Sequence, residues 1–317
     1  MEIINHTPFP YLYFKASTSQ DQIANAIVVK LKYDLSNGQM ILSKDQNSKL
    51  SNAPVQDQYG EFDSENIYRR GGVDFFVLGS AIPRSKEEQK KMIVQVYLPG
   101  KIDQSIAIFG NRKWDLSLLG LKISEPEPFV EMPITIYNAY GGVDDYDGLK
   151  FPFVNNKFGK GFIWDKKNAV GVSLPNIENP TKLIQNWNDR PLPTGLGPCP
   201  MNEERLMRGI RINKEQEVED INPILFNNAF SRMIANNIIG GEQIVVKGMS
   251  KEGISKFIIP VTNLELNLYF GEKHHNRLFE IDQVTLDLNA QLCHITYRYY
   301  FSFQYRKLEK RILEIKL

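Results

Sequence analysis

Apolar and polar positions alternate with a period of two at both ends of the chain and lose any period in the middle. Residues 26–35 begin with a β-branched run and then alternate, break at Asn37-Gly38 and resume at Met40-Ile41-Leu42, which predicts two strands joined by a tight turn. Val73–Leu78 predicts the next strand, and Met92–Leu98 with Gln104–Phe109 flank Pro99-Gly100 as a second hairpin. Residues 44–66 are polar and rich in turn formers, so a long surface loop is expected there. Residues 1–114 thus read as an antiparallel sheet of about five strands or more. From Glu242 the period of two returns. Ile244–Lys247, Lys256–Ile259, Glu265–Phe270, Phe279–Leu288 and Gln291–Tyr305 predict further strands, with a turn at Leu288-Asn289-Ala290-Gln291. Lys307–Leu317 is ambiguous: Leu308, Ile312 and Ile315 fit a helix, whereas Leu313, Ile315 and Leu317 fit a closing strand.

Between Gly141 and Gly197 glycine and proline recur too often for a long strand or helix, and Phe151, Phe153, Phe158, Phe162, Trp164 and Trp187 are scattered among them. Disordered linkers are poor in Trp and Phe because they have no core to bury them in, so this stretch reads as an ordered, loop-rich cover. Two helices are expected, Met201–Arg208 and Pro223–Asn237, the second with Phe226, Phe230, Met233, Ile234 and Asn237 on one face behind the start signal Asn222-Pro223. The fold class that follows is mainly β (α+β): antiparallel sheets in sandwich-like layers, a loop-rich central cover and one or two short helices. The chain divides into residues 1–125, 126–240 and 241–317, the first and last expected to form one compact unit.

A chain of 317 residues can bury a substantial core without metal or disulfide staples. Lys plus Arg (38) and Asp plus Glu (37) nearly cancel, leaving no electrostatic case for nucleic acid or an anionic membrane as partner. The two cysteines, Cys199 and Cys293, fit a reducing compartment, and neither a secretory leader nor an apolar spanning run is visible. A cytoplasmic protein that meets its partners through shape and apolar contact is expected.

The candidate chemistry is sparse. Asp144-Asp145-Tyr146-Asp147-Gly148 resembles part of a calcium loop but lacks the distal bidentate acid, so a structural turn is expected. His274-His275 are adjacent and cannot converge on one ion from a strand. Cys199 has no histidine placed beside it by sequence, and His6 and His294 read as capping or core-edge residues. Gly159-Lys160-Gly161 and Gly241-Glu242 lack the context of a phosphate loop. Asp144, Asp145, Asp147 and Glu178 could supply the paired carboxylates of a glycosidase, with loop aromatics stacking on sugar, but nothing sets their separation. No catalytic residue, cofactor or metal is expected.

One series of motifs stands out. Gly110-Asn111-Arg112-Lys113-Trp114 is followed by Pro128-Phe129-Val130-Glu131-Met132-Pro133, then Tyr137-Asn138-Ala139-Tyr140-Gly141-Gly142, Gly159-Lys160-Gly161-Phe162 and Leu174-Pro175-Asn176-Ile177-Glu178. In this order they resemble a domain-of-unknown-function family encoded beside type VI secretion spike genes and regarded as effector-loading adaptors. Shorter blocks extend the resemblance to both sides, at Asn5–Phe9, Val28–Lys30, Tyr33–Leu35, Gly72–Asp74, Gly79–Ala81, Arg190–Pro193, Gly195–Pro198, Phe226–Ala229, Gly241-Glu242 and Phe257–Pro260. The chain departs at Asn111, where an acid is usual, which removes the expected carboxylate beside Arg112. It departs at Tyr140, where Phe is usual, and over residues 199–222, where a Trp- and Arg-containing run is missing.

The resemblance implies a non-enzymatic adaptor or chaperone that binds a toxin effector or its PAAR-type carrier and delivers it to the spike protein. The alternative is a carbohydrate-binding module or a glycoside hydrolase-like β protein. Phe151, Phe153, Phe158 and Trp187 are the expected partner-binding residues. Gly110, Arg112, Trp114, Met132, Pro133, Tyr137, Gly141, Gly142, Gly159, Gly161, Pro175 and Glu178 are expected to be structural: Trp114 buried at a strand end, Arg112 closing over loop carbonyls, and Gly141 or Gly142 at positive φ.

Overall fold

The computed structural model of the protein describes residues 1–17, 22–84, 88–215, 217–304 and 310–317. The protein is mostly β, with one short α-helix, α1 (Glu203–Gly209), among the described residues. In chain order the strands of its three main sheets are β1 (Glu2–Asn5), β2 (Tyr11–Ser17), β3 (Gln22–Ser36), β4 (Gln39–Leu42), β5 (Val73–Leu78), β6 (Lys91–Leu98), β7 (Ile102–Phe109), β8 (Ile177–Glu178), β9 (Gln243–Lys247), β10 (Ile254–Ile258), β11 (Glu265–Phe270), β12 (Lys273–Leu278), β13 (Glu280–Asp287), β14 (Leu292–Gln304) and β15 (Arg311–Lys316).

The largest sheet runs β2-β3-β14-β13-β5 and ends on the two-residue strand Ile234–Ala235, with β4 hairpinned onto β3. Its spine is the long antiparallel pair of β3 and β14, in register from Gln22 opposite Gln304 to Asp34 opposite Leu292. Residues 24–29 of β3 and all of β5 are buried, as strands covered on both faces are. The second sheet runs β8-β7-β6-β9-β10 and the third β1-β15-β11-β12. Strands from residues 1–125 and 241–317 therefore share all three sheets, and one apolar cluster, from Phe9 to Ile315, takes in residues from every third of the chain.

Turn chemistry placed three hairpins where the sequence puts them. Asn37 (φ 50°) and Gly38 (φ 76°) form a turn with positive φ at both positions, Gly100 (φ 70°) turns β6 into β7, and Gln291 (φ 56°) closes the turn from β13 to β14. The N-terminal strands do not form one local antiparallel sheet, however. β5 pairs in parallel with β13, Asp74 opposite Gln283 through Leu78 opposite Asp287, and β6 and β7 belong to the second sheet. The loop over residues 44–66 is not purely superficial, since Gln46 is buried and its side chain bonds the backbone N–H and C=O of Lys32 (2.8 Å each) on the edge of β3 away from β14, between its pairings with β2 and β4.

The expected helix over Pro223–Asn237 is absent. In its place are 3-10 turns at Pro223–Phe226 and Ser231–Met233 and the short strand Ile234–Ala235. The cause is Asp74, wholly buried on β5, whose carboxylate accepts from Asn227 Nδ2 (3.0 Å), Asn228 N (2.9 Å) and Ala229 N (3.1 Å). Amides held by that carboxylate cannot serve a helix ladder. The helix over Met201–Arg208 does form, as α1, with Asn202 accepting from Arg205 N at its start. Lys273–Leu278 pairs as an edge strand although its side chains are all exposed and polar until Leu278. Arg311–Lys316 settles as a strand, parallel to β1 and antiparallel to β11; Tyr305, Lys307 and Leu308 lie outside the described residues.

Asp74 also anchors a buried charge cluster. Arg70 reaches Asp74 (Nε to Oδ2, 3.2 Å), Glu65 (3.3 Å) and Asp282, while Arg298 on β14 reaches Glu65 (2.9 Å) and Asp282 (3.0 Å). These pairs fasten residues 65–70 across β5, β13 and β14.

On the same sheet His294 lies opposite Lys32. Burial, with Lys30 and Lys32 beside it, pushes the imidazole pKa down to about 4. The unfolded chain takes up that proton below about pH 6.5, the folded one only near its own lower value. His294 therefore contributes a loss of stability as pH falls from about 6.5 towards 4. In His294→Gln the melting temperature is expected to fall less steeply over that window; an unchanged slope would show that the imidazole takes its proton freely in the fold.

Candidate partner-binding site

The central motifs close on one another. At Gly110 a Cβ would lie 1.7 Å from the Glu127 carbonyl oxygen, so only glycine lets the chain pass. The buried Arg112 guanidinium then lies over the Phe109 ring, its carbon 3.7 Å from the centroid, donates to Pro175 O (3.3 Å) and pairs with Glu178. The other Glu178 oxygen accepts from Ile184 N (2.8 Å). Burial pushes the Glu178 carboxyl up while Arg112 pulls the other way, and burial pushes Arg112 down. The carboxylate missing at Asn111 is thus supplied from the far end of the stretch, by the last residue of Leu174–Glu178.

Tyr140-Gly141 pairs in parallel with Lys160-Gly161. Gly141 (φ 152°) and Gly142 (φ 106°) both have positive φ, and a Cβ on Gly141 would meet Asn156 O at 2.0 Å. Buried Asn156 spans the turn, its Nδ2 donating to Ile136 O and Tyr140 O (3.0 Å each). At Gly159 a Cβ would fall 2.5 Å from Ala139 O, and at Gly161 2.7 Å from Cδ of Pro175. The Tyr140 hydroxyl donates to Asp189 O (2.8 Å), and burial pushes its pKa up to about 12. Tyr137 donates to Asp57 O (3.0 Å), and Met132-Pro133 pairs with Ser80-Ala81. These residues form a framework.

On that framework sits a second, smaller core of Trp114, Tyr140, Phe153, Phe162, Ile163, Ala169, Leu174 and Ile184, flanked by half-buried Leu121, Ile123, Phe151, Val172 and Trp187. It corrects the expectation for Phe153, which is buried, edge-on to Tyr140 (5.0 Å) and tilted against Phe162 (5.3 Å), and has no face for a partner. Phe151 is half-buried and stacks on Trp164 (4.6 Å, 8° between planes), leaving Trp164 as the exposed ring of the pair. Trp187 is half-buried beneath Arg190, and Phe158 is exposed, edge-on to Tyr137 at 6.2 Å.

The most exposed apolar residues near this core were not singled out in the sequence. Trp114–Ser117 pairs with Gly120–Ile123 as a hairpin whose base packs on the second core through Trp114, Leu121 and Ile123. Its two-residue turn is Leu118-Leu119, both side chains fully exposed, with Leu116 mostly exposed below them. Ser-Leu-Leu-Gly lacks the Asn or Asp of a typical hairpin turn, and a Leu-Leu pair reads as core; Gly120 at φ 111° was the available signal.

The polar candidates are occupied by their surroundings. Asp144 accepts from Trp164 N (2.7 Å), Asp165 N (3.3 Å) and Asn168 Nδ2 (3.0 Å), while Asp147 (φ 55°) and Gly148 (φ 77°) form a hairpin turn. Among the described residues no three His, Cys, Asp or Glu side chains gather as metal ligands would. His274 stacks on Tyr269 (4.6 Å) and bonds Asn267, whereas neighbouring His275 lies opposite Leu268. Cys199 is buried, its thiol pushed up to about 12 by burial, so a nucleophilic thiolate is not populated at neutral pH. Among the described residues no helix is long and apolar enough to cross a membrane.

No match is found among curated proteins or among solved structures. A family model described as an uncharacterized protein conserved in bacteria (DUF2169) matches residues 21–298, which contain every motif from Gly110 to Glu178, and the chain belongs to that family.

Proposed function

We propose that the protein is a non-enzymatic adaptor or chaperone that binds a toxin effector or its PAAR-type carrier and loads it onto the type VI secretion spike. The observation that carries the binding half of this reading is the Leu118-Leu119 tip, two fully exposed leucines on a hairpin whose base is packed on the second core. Burying a leucine side chain is worth about 1.5–3 kcal/mol, and this gain is left open to a partner. A knob on a preorganised base also loses little entropy on docking. Trp164, Phe158 and the outer part of Trp187 add aromatic surface around the same core. The secretion setting rests on the resemblance of the ordered motifs. The glycosidase alternative is weakened because Asp144 and Glu178 spend their oxygens on backbone amides, Asn168 and Arg112.

Co-expression with the effector or PAAR-type protein encoded beside it should yield a complex by pull-down. Leu118→Ser with Leu119→Ser should weaken that complex by more than about 2 kcal/mol, the scale of an interface hot spot, without moving the unfolding midpoint. Undiminished binding by the double variant removes the tip from the interface. An effector that accumulates and reaches the spike equally well without this protein removes the adaptor reading, as does turnover of a sugar or peptide substrate.

A further inference from the structure

A second uncovered apolar surface lies after Cys199, away in sequence from the Leu118-Leu119 tip. α1 leads directly into a two-stranded ribbon, Ile210–Ile212 against Val218–Ile221, in which Ile210 lies opposite Ile221, Arg211 opposite Asp220 and Ile212 opposite Val218. The register shifts between Arg211 and Ile212, leaving Glu219 as the extra residue of a bulge. Directly opposed residues share a face, so the four β-branched side chains lie on one side of the ribbon and Arg211 with Asp220 on the other. The chain leaves this apolar face open: Ile212 is 63% exposed, Val218 58% and Ile221 50%. Leu206 and Met207 of α1, and Met201 just before it, are exposed as well. A two-stranded ribbon is marginal by itself in water, and unbranched, polarizable methionines adapt to a docking surface.

The unit is nevertheless held firmly. Buried Arg205 donates to Cys199 O (3.1 Å) and Leu225 O (3.2 Å) and pairs with Asp63 (2.5 Å), and Arg208 donates to Asn227 O (2.6 Å) and Ser231 Oγ (3.1 Å). Both arginines of α1 are thereby spent inward. The exposed polar residues of the ribbon and of its turn are mostly acidic: Glu215, Glu217, Glu219 and Asp220 against Arg211 and Lys214. Among the described residues none of these carboxylates is in an ion pair, although the chain as a whole is nearly neutral at +1.

We propose that this face docks a basic amphipathic helix of a partner protein, its apolar side against Ile210, Ile212, Val218 and Ile221 and its lysines or arginines over the acidic rim. Opposite charge steers such a helix to the rim, and apolar burial holds it there. The proposal does not depend on the secretion setting and concerns a surface other than the hairpin tip.

The test uses the full chain and two labelled synthetic helices of the same length, one of leucine and lysine and one of leucine and glutamate, followed by fluorescence anisotropy at low and high salt. The lysine helix should bind, more weakly at high salt, and the glutamate helix should not. Glu217→Lys with Glu219→Lys, and separately Met207→Ser with Ile212→Ser, should each weaken binding more than about tenfold, or about 1.4 kcal/mol. Leu118→Ser with Leu119→Ser should leave it unchanged. The charge variant keeps the apolar face intact, so it decides the matter even if the apolar variant misfolds. Equal binding of both helices, or indifference to the charge variant, overturns the proposal. A dimer seen by light scattering and abolished by Ile212→Ser also overturns it, since the face would then belong to a second copy of this chain.

Discussion

Arg70→Met is expected to lower the free energy of unfolding by about 3–5 kcal/mol, the cost of breaking a buried ion pair by removing one partner. Arg70 is shared among Glu65, Asp74 and Asp282, all buried, so its loss leaves three carboxylates with less compensation. Asp74 keeps three N–H donors, and Glu65 and Asp282 keep Arg298, which is why the protein should still fold. The pH dependence has a definite sign. Burial pushes the Asp282 carboxyl up, but Arg298 and Arg70 overcome this and hold it below the ordinary carboxylate value. A depressed carboxylate contributes stability above its unfolded value, about pH 3.9, and loses it as pH falls through the folded value. Without Arg70 that carboxyl rises, so the deficit of the variant should be largest near neutrality and shrink in acid. Urea melts at several pH values measure both; a deficit under about 1 kcal/mol at neutral pH would mean that Arg298 alone satisfies the cluster.

Gly141→Ala is expected to cost about 3 kcal/mol or more, because strain in a backbone region reserved for glycine adds to direct overlap with a backbone oxygen. The oxygen belongs to Asn156, whose side chain also holds Ile136 and Tyr140, so relieving the overlap disturbs the turn that carries the second core. Gly100→Ala is the control. Its φ of 70° is also positive, but nothing lies within 4 Å of the added carbon, so only the backbone cost of about 1 kcal/mol should appear. Similar losses at both sites would show that the packing around Gly141 yields, and that the central turn is less rigid than the contacts imply.

The strands and their hairpins were legible because each rests on local chemistry. A period of two, β-branched side chains and a turn such as Asn37-Gly38, Pro99-Gly100 or Leu288–Gln291 act within a few residues, and β3 to β4, β6 to β7 and β13 to β14 follow. The candidate site was legible only in its frame. Arg112, Gly141, Gly159 and Glu178 could be picked out, but Phe153 looked like a contact residue and is core, while the exposed Leu118-Leu119 was not singled out. An aromatic or a leucine has the same transfer preference in both settings, and which side of the sheet it meets is not written in its neighbours.

Readable from the sequence were therefore the β class and the turns, since these follow from dihedral preference and side-chain alternation over a few residues. The tertiary structure alone decided that β5 lies parallel to β13, that Asp74 draws the amides of Asn228 and Ala229 out of a helix, and that Glu178 answers Arg112. Each of these joins groups far apart in the chain. Their free energy comes from satisfying buried donors and charges that no local window can see.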